Sequence, residues 1–342
     1  MTVVVEGQSN TNKRQARSRR GLNKKTVKRR LARRSGRVLR KKKGRRRKVN
    51  TRRAPKEKPI LPSQIESEQL IAYENGYRIG KYDGGELVLA HLIPENMVLP
   101  DISVEHVIGL GYEQVKGLLQ PLLHPDELYM EVHAALQEKR PFSLVRLGDG
   151  ELLAMSHDKV LSTNLVLQEG PFLEYSGIRL PDHEYRDQLA ESIRHATVVG
   201  VPMARIPNYQ GLLLPVFRAY GLRMSQMRLT SSTVNYMLAL QGYLLRLLQD
   251  KHILIVGNIA EELAAALRQR GLSVSGVVQP VQGMQDIPRV MQEIAQHHFD
   301  VALVAAGVPA VILSERIASQ YGKVALDIGH LANKIASGEA AL

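Results

Sequence analysis

The chain has 342 residues and a formal net charge of +14, with 44% hydrophobic residues and no cysteine. A chain of this length can bury a sizeable core, and the absence of cysteine excludes disulfides, zinc thiolate sites and cysteine nucleophiles. No run of about 18 apolar residues occurs, so we expect no membrane-spanning helix. The N-terminus shows no secretory signal pattern, so we expect a cytoplasmic protein.

The positive charge is concentrated at the N-terminus. Residues 1–58 hold 25 of the 47 Lys and Arg but only 2 of the 33 acidic residues, so the rest of the chain is acidic. With so few apolar groups, this segment is predicted to be a disordered polybasic arm. Such an arm binds polyanions through counterion release. Its expected partners are nucleic acid, an anionic membrane or a cell-envelope polymer, and the alternative is a solubilising tail.

Residues 59–100 form a short module rich in Tyr and Gly, followed by a linker. Tyr73 and Tyr77 are spaced to lie on one face of a helix, and Asp83-Gly84-Gly85 is expected to end that pattern. Residues 101–140 are predicted to be a helical lead-in, with a helix from Pro125 to Lys139. The main domain is predicted to span residues 141–342.

In the main domain, short apolar runs alternate with amphipathic helical patterns. The predicted strands are Phe142–Leu147, Thr197–Val201, His252–Val256, Ser273–Val278, Asp300–Ala305 and Lys323–Asp327. The predicted helices are Asp187–His195, Thr233–Gln249, Glu261–Gln269, Pro288–His297 and Pro309–Gln320. This alternation predicts a Rossmann-like α/β fold, a mostly parallel sheet with helices on both faces, preceded by the disordered arm.

An acidic turn, Arg146-Leu147-Gly148-Asp149-Gly150-Glu151, follows the first predicted strand. Open α/β sheets bind ligands at the carboxyl ends of their strands, and the two glycines allow close approach of the backbone to a ligand. The carboxylates of Asp149 and Glu151 suit Mn²⁺ or Mg²⁺, with open positions left for phosphate oxygens. Alternatively, Asp149 caps a helix and Glu151 stabilises its first turn.

Arg146 has two interpretations: its planar guanidinium holds a donor phosphate, or it pairs with Asp149. Gly307 and the helix after it are expected to offer free N–H groups to an anion. Asp327 and His330 are expected to reach the same sheet edge as the acidic turn. For His330, a role as general base or ligand and a role as helix cap both remain open.

Three further residues are candidates for cofactor binding. Gly257 and Asn258 follow a predicted strand, although a single glycine is not the dinucleotide fingerprint. Arg205 lies in a polar loop expected at the same edge. Donor contact and an ordinary turn or surface role stay open for all three.

Two segments resemble a known family. Phe142-Ser143-Leu144-Val145-Arg146-Leu147-Gly148-Asp149-Gly150-Glu151 and Ala325-Leu326-Asp327-Ile328-Gly329-His330 resemble the two signature regions of the GT-D glycosyltransferases. The resemblance covers about residues 140–335 and implies the Rossmann-like GT-D fold and a metal-dependent sugar-nucleotide site. It also implies an Asp-X-Glu motif, which falls here on Asp149, Gly150 and Glu151.

The function predicted from this resemblance is transfer of a hexose from a nucleotide-diphosphate sugar to an unknown glycan or protein acceptor. The expected donor is UDP-glucose. Asp149 and Glu151 would hold Mn²⁺ or Mg²⁺, and His330 or Asp327 would complete the site or take the acceptor proton. The family often has acidic and aromatic residues after its second signature, where this chain has Leu331-Ala332-Asn333-Lys334-Ile335. This departure leaves the acceptor open.

Two alternatives remain. One is a non-catalytic nucleotide-binding protein, anchored by its basic arm on nucleic acid or an anionic surface. The other is a Rossmann methyltransferase, which also uses an acidic residue after a glycine turn but needs no Asp-X-Glu motif.

Overall fold

The computed structural model of the chain describes residues 62–340 and Leu342, so the predicted polybasic arm lies outside the described residues. The described part falls into two compact units, one ending at Pro94 and the other beginning at Glu95. Within this part, every helix is too short or too polar to cross a bilayer.

The first unit is helical. It contains α1 (Pro62–Lys81), a π-helical turn (Tyr82–Glu86) and α2 (Leu87–Ala90). The expected break at Asp83-Gly84-Gly85 is wrong, because the helical backbone runs through the two glycines, with Lys81 and Leu87 on either side both in the α region. Glycine disfavours a helix only through its entropy, whereas proline breaks a helix sterically, and this turn has no proline.

The second unit contains the remaining helices and strands in alternation. In chain order they are α3 (Val104–Val115), α4 (Pro125–Gln137), β1 (Phe142–Arg146), α5 (Asp149–Ser156), α6 (Thr163–Glu169), α7 (His183–His195), β2 (Val198–Val201), α8 (Gln210–Ala219), β3 (Leu229–Ser231), α9 (Val234–Leu240), α10 (Tyr243–Leu248), β4 (Ile253–Gly257), α11 (Ala260–Gln269), β5 (Val274–Val278), α12 (Ile287–Ile294), β6 (Val301–Ala305), α13 (Pro309–Tyr321), β7 (Val324–Asp327) and α14 (Leu331–Ala336). Short 3₁₀ turns lie at Lys116–Leu118, Met224–Gln226 and Met284–Asp286.

The six predicted strands are confirmed, with ends that differ by at most one residue. β3 was not predicted, because its three residues give too little pattern to detect. The helix predicted over Thr233–Gln249 is two helices, because Gly242 adopts a left-handed conformation with φ of +70° between them.

The strands form one parallel sheet in the order β3-β2-β1-β7-β6-β4-β5. One face packs against α5, α7, α8, α12 and α13, and the other against α4, α9, α10, α11 and α14. All five residues of β4 are buried, as expected for a strand covered on both faces. The predicted fold class is therefore confirmed.

The direction in which the chain leaves each strand shapes the carboxyl edge of the sheet. After β1 and β6 the chain enters α5 and α13 on one face, whereas after β4 and β7 it enters α11 and α14 on the other. Neighbouring strands whose chains leave toward opposite faces open a crevice between them. This occurs between β1 and β7 and again between β6 and each of its neighbours, β4 and β7.

Gly257 ends β4 where its backbone lies against Ala305 of β6. Its φ is +147°, and a Cβ atom there would overlap the carbonyl oxygen of Ala305. Only glycine fits this close contact between two central strands.

We predict that Gly257→Ala lowers the free energy of unfolding by at least about 2 kcal/mol, since it adds backbone strain and steric overlap. The matched control is Gly271→Ala, where φ is also positive, at +79°, but no atom lies within 4 Å of the added methyl. The control isolates the backbone cost, about 1 kcal/mol. Chemical denaturation measures both, and equal losses would show that the contact with Ala305 is unimportant.

Candidate active site

The first crevice lies at the carboxyl ends of β1 and β7. It encloses about 530 Å³ and brings together most of the candidates from the sequence, namely Arg146, Gly148, Asp149, Gly150, Glu151, Gly307, Asp327 and His330. Parallel strands direct all their carboxyl ends to one edge, which is why segments separated by up to 184 positions in the sequence meet here.

The acidic turn forms the start of α5. Glu151 Oε2 accepts a hydrogen bond from the Gly148 N–H at 2.7 Å, and Asp149 Oδ1 accepts one from the Gly150 N–H at 3.0 Å. The negative charge of Asp149 raises the pKa of the nearby Tyr209 hydroxyl. The capping interpretation therefore describes how Glu151 is held, although both carboxylates also line the crevice.

The pKa of Glu151 is raised from 4.5 to about 7. Removal of the carboxylate from water is the main cause, and the negative charge of Asp327 adds to it, while the Gly148 hydrogen bond and Arg146 oppose it. Near neutral pH the neighbouring groups therefore balance the negative charge of this carboxylate poorly, and a bound cation would stabilise its ionised form.

Arg146 pairs with Asp327, not with Asp149. Its Nη2 donates to Asp327 Oδ1 at 2.9 Å, its Nε donates to the Asp327 carbonyl oxygen at 2.9 Å, and its backbone N–H donates to Oδ2 at 3.2 Å. Nη1 donates to the Ser232 carbonyl oxygen at 3.0 Å. Because both oxygens of Asp327 are engaged, Asp327 is poorly placed to take a substrate proton.

Gly329 makes room for this ion pair. Its φ is +47°, and a Cβ atom there would overlap Arg146 Nη2. The glycine of the Asp-Ile-Gly-His segment therefore lets the guanidinium lie against the backbone after β7.

The expected free N–H groups at the start of α13 are present only in part, because the Gly307 N–H makes no hydrogen bond among the described residues whereas the next groups are engaged. The Val308 N–H donates to the Ser176 carbonyl oxygen at 2.9 Å, the Ala310 N–H donates to the Gly307 carbonyl oxygen at 3.0 Å, and Pro309 has no N–H. Gly307 is also a close-contact position, since a Cβ atom there would overlap the Ser176 carbonyl oxygen.

His330 is exposed at the rim of the first crevice. It occupies the N-cap position of α14, but its side chain makes no capping hydrogen bond. The helix-cap interpretation is therefore wrong for the side chain, which leaves the imidazole available to a ligand.

The three remaining candidates from the sequence lie in different parts of the structure. Asn258 lines a second crevice of about 330 Å³ at the ends of β4, β6 and β7. Gly257 lines neither crevice and instead allows the close contact with Ala305. Arg205 is exposed in the loop after β2 and likewise lines neither, so the structure does not place it with the other candidates.

Sequence reasoning missed several residues of the first crevice. Ser232, Thr233 and Tyr236 follow β3, and Phe172 and Tyr175 belong to the segment between α6 and α7. The polar run Ser231-Ser232-Thr233 before a helical pattern was a usable signal for the first group. The second group carried none, because its placement depends on the contact of Ser176 with the turn after β6.

The donor atoms fit a divalent cation only in part. Among the described residues, no group of three or more His, Asp or Glu side chains is arranged to hold a metal. Asp149 and Glu151 offer two carboxylates, which suits Mg²⁺ or Mn²⁺ when substrate phosphates and water supply the other ligands. The site therefore fits a cation that binds together with a diphosphate.

We predict that Glu151→Gln stabilises the unliganded protein at pH 8, because it keeps an acceptor for the Gly148 N–H and removes a desolvated charge. A carboxyl whose folded pKa is raised loses stability as pH rises from 4.5 toward about 7. At about 1.4 kcal/mol per pH unit, the gain is at most about 3 kcal/mol at pH 8 and vanishes below pH 4.5.

Glu127→Gln is the matched control for this prediction, since Glu127 makes the same capping bond to the His124 N–H at 2.8 Å from an exposed position on α4. We expect this control to be neutral or slightly destabilising. Thermal unfolding between pH 4 and pH 8 measures both variants, and destabilisation by Glu151→Gln at pH 8 would contradict the account.

We predict that Asp327→Asn destabilises the protein by about 3 kcal/mol, because it leaves the largely buried Arg146 guanidinium without its counter-charge. The exposed pair Arg140–Glu138 is the control, and Glu138→Gln is expected to cost less than about 1 kcal/mol. Chemical denaturation distinguishes them, and a loss below 1 kcal/mol for Asp327→Asn would show that the ion pair is dispensable.

Known proteins are similar to the part of the chain that forms this site. A family described as GT-D fold-like domain matches residues 123–335. One similar solved structure is a new glycosyltransferase (DUF1792) from Streptococcus sanguinis, with 22% identity and a TM-score of 0.43, over 61% of this chain and 84% of that one. Another, described as the highly conserved domain of unknown function 1792 with a distinct glycosyltransferase fold, has 15% identity and a TM-score of 0.42, over 62% and 80%.

A search of the curated proteins gives no match. The family match, however, spans more than half of the chain and includes the acidic turn, the Arg146–Asp327 pair and both crevices. The chain belongs to the GT-D fold-like domain family.

Proposed function

We propose that this protein is a metal-dependent glycosyltransferase that transfers a hexose from a nucleotide-diphosphate sugar to an acceptor hydroxyl. UDP-glucose is the expected donor. Family membership supports glycosyltransferase activity in general. The observation that carries the proposal is the pair of carboxylates, Asp149 and Glu151, which line one crevice with His330.

Asp149 and Glu151 are the residues that would hold Mn²⁺ or Mg²⁺. When bound, such a cation neutralises the charge that grows on the diphosphate as the glycosidic bond to phosphate breaks. The raised pKa of Glu151 agrees with a site built to accept positive charge. With only two protein carboxylates, the site is expected to bind the cation weakly without a diphosphate.

The remaining residues of the first crevice have separate roles in this proposal. Arg146 is held by Asp327 and by the Ser232 carbonyl oxygen, so it fixes the loops on both sides of the crevice. The exposed imidazole of His330 is the candidate base for the acceptor proton, because Asp327 is already engaged. The aromatic rings of Phe172, Tyr175 and Tyr236 offer apolar surface to a sugar ring.

The test is Mn²⁺-dependent release of glucose from UDP-glucose by the full-length protein, with a thermal shift as an independent measure of binding. Asp149→Asn and Glu151→Gln are expected to lower the rate at least about 100-fold, and Glu127→Gln is expected to leave it unchanged. Mn²⁺ alone is expected to raise the melting temperature less than Mn²⁺ with UDP.

If the wild-type protein binds UDP but releases no sugar from any UDP- or GDP-sugar, with or without added acceptors, the non-catalytic nucleotide-binding alternative is favoured. If neither carboxylate variant changes Mn²⁺-dependent binding, the acidic turn is only a helix cap.

A further inference from the structure

We propose that the second crevice holds the nucleoside of the donor, and that the side-chain amides of Asn258 and Asn333 select the base. This inference rests on the proposed function, because it assigns the two halves of one donor to two crevices. The first crevice then takes the diphosphate and the sugar.

The two crevices are neighbours along the sheet edge. The second lies over the ends of β4, β6 and β7, where the chain leaves for opposite faces. Both crevices are lined by Tyr175, Ser176, Gly307, Gly329 and His330. One extended molecule can therefore occupy both, with its middle at the shared residues.

The chemical character of the two crevices differs. The lining of the first includes Asp149, Glu151, Asp327 and Arg146, whereas the lining of the second contains no Asp, Glu, Lys or Arg among the described residues. A diphosphate with a cation suits the charged crevice. An uncharged base suits a neutral pocket that carries a few polar groups for orientation.

Asn258 is oriented by its own hydrogen bond. Its Oδ1 accepts from the Val281 N–H at 2.7 Å, and among the described residues its Nδ2 has no partner. The backbone before Asn258 is held in position, because Gly257 lies in close contact with Ala305. The amide therefore offers a donor group held in a defined position.

Asn333 supplies a second amide from α14, the helix that packs beside α11 on the same face of the sheet. It lies one turn after His330 at the start of α14, so both side chains are on the same face of the helix. Its side chain is exposed and makes no hydrogen bond within the described part of the chain. An amide has both a donor and an acceptor, which is the pattern needed to distinguish bases by their edges.

Tyr175 stands at the boundary between the crevices. Its side chain is 91% exposed, although it lines both. An exposed aromatic ring beside two amides provides a surface on which a base or ribose can stack.

The experiment is calorimetric titration of the full-length protein with UDP, GDP, CDP and pyrophosphate, each in the presence of Mn²⁺. Asn333→Leu removes one amide. Asn258→Asp keeps the acceptor for the Val281 N–H and removes the free donor. Asn208→Ala is the control, because Asn208 bonds Glu169 and lines neither crevice.

We expect each crevice variant to weaken binding of the preferred nucleoside diphosphate at least about tenfold and to reduce discrimination among the bases. Pyrophosphate binding should stay within about twofold of wild type. Asn208→Ala should match the wild type with all four ligands. Glu151→Gln should weaken pyrophosphate and nucleotide alike.

Two results would overturn the inference and can be told apart. If the wild type binds a nucleoside diphosphate and both variants keep its affinity and base preference, the base lies elsewhere while the proposed function stands. If the wild type binds no nucleoside diphosphate with Mn²⁺, the proposed function fails and the inference fails with it.

Discussion

The ion pair between Arg146 and Asp327 is the interaction on which the candidate site depends. It joins the ends of β1 and β7, two neighbouring central strands whose chains leave the sheet toward opposite faces. The guanidinium also bonds the Ser232 carbonyl oxygen, so three loops are tied at one point. Because the pair is largely buried, replacing only one of its two residues lowers the stability of the fold strongly. This geometry leaves the charge of Asp149 and Glu151 in the crevice without an equivalent partner.

The excess of negative charge from Asp149 and Glu151 makes the crevice suited to a cation. Glu151 is bound to the Gly148 N–H, yet its pKa is raised to about 7 by burial and by Asp327. A helix cap alone does not require a desolvated carboxylate, since Glu127 caps α4 from the surface. The capping and metal-binding interpretations of the acidic turn are therefore compatible, because one carboxylate oxygen holds the turn while the group as a whole favours a nearby cation.

Local sequence patterns predicted the parts of this site that depend on local structure. The apolar runs located six strands, and the parallel arrangement then placed the acidic turn and the Asp-Ile-Gly-His segment at one edge. The partner of Arg146 was beyond that reasoning, because Asp327 lies 181 positions away and only register brings them together. The bond from the Val308 N–H to Ser176, which removes one of the expected free N–H groups, is likewise a tertiary contact. Arg205 was predicted at this edge because it follows β2, but in the structure it lines neither crevice.

We propose that Asp149 and Glu151 hold the donor diphosphate through a divalent cation. The most direct measurement is anomalous diffraction from a crystal of the protein grown with Mn²⁺ and UDP. We expect a manganese peak within about 2.5 Å of oxygens from both carboxylates, with the diphosphate against it and the uracil in the second crevice. A UDP molecule bound with the manganese elsewhere, and with neither carboxylate touching the metal, would show that Asp149 and Glu151 are not the metal ligands.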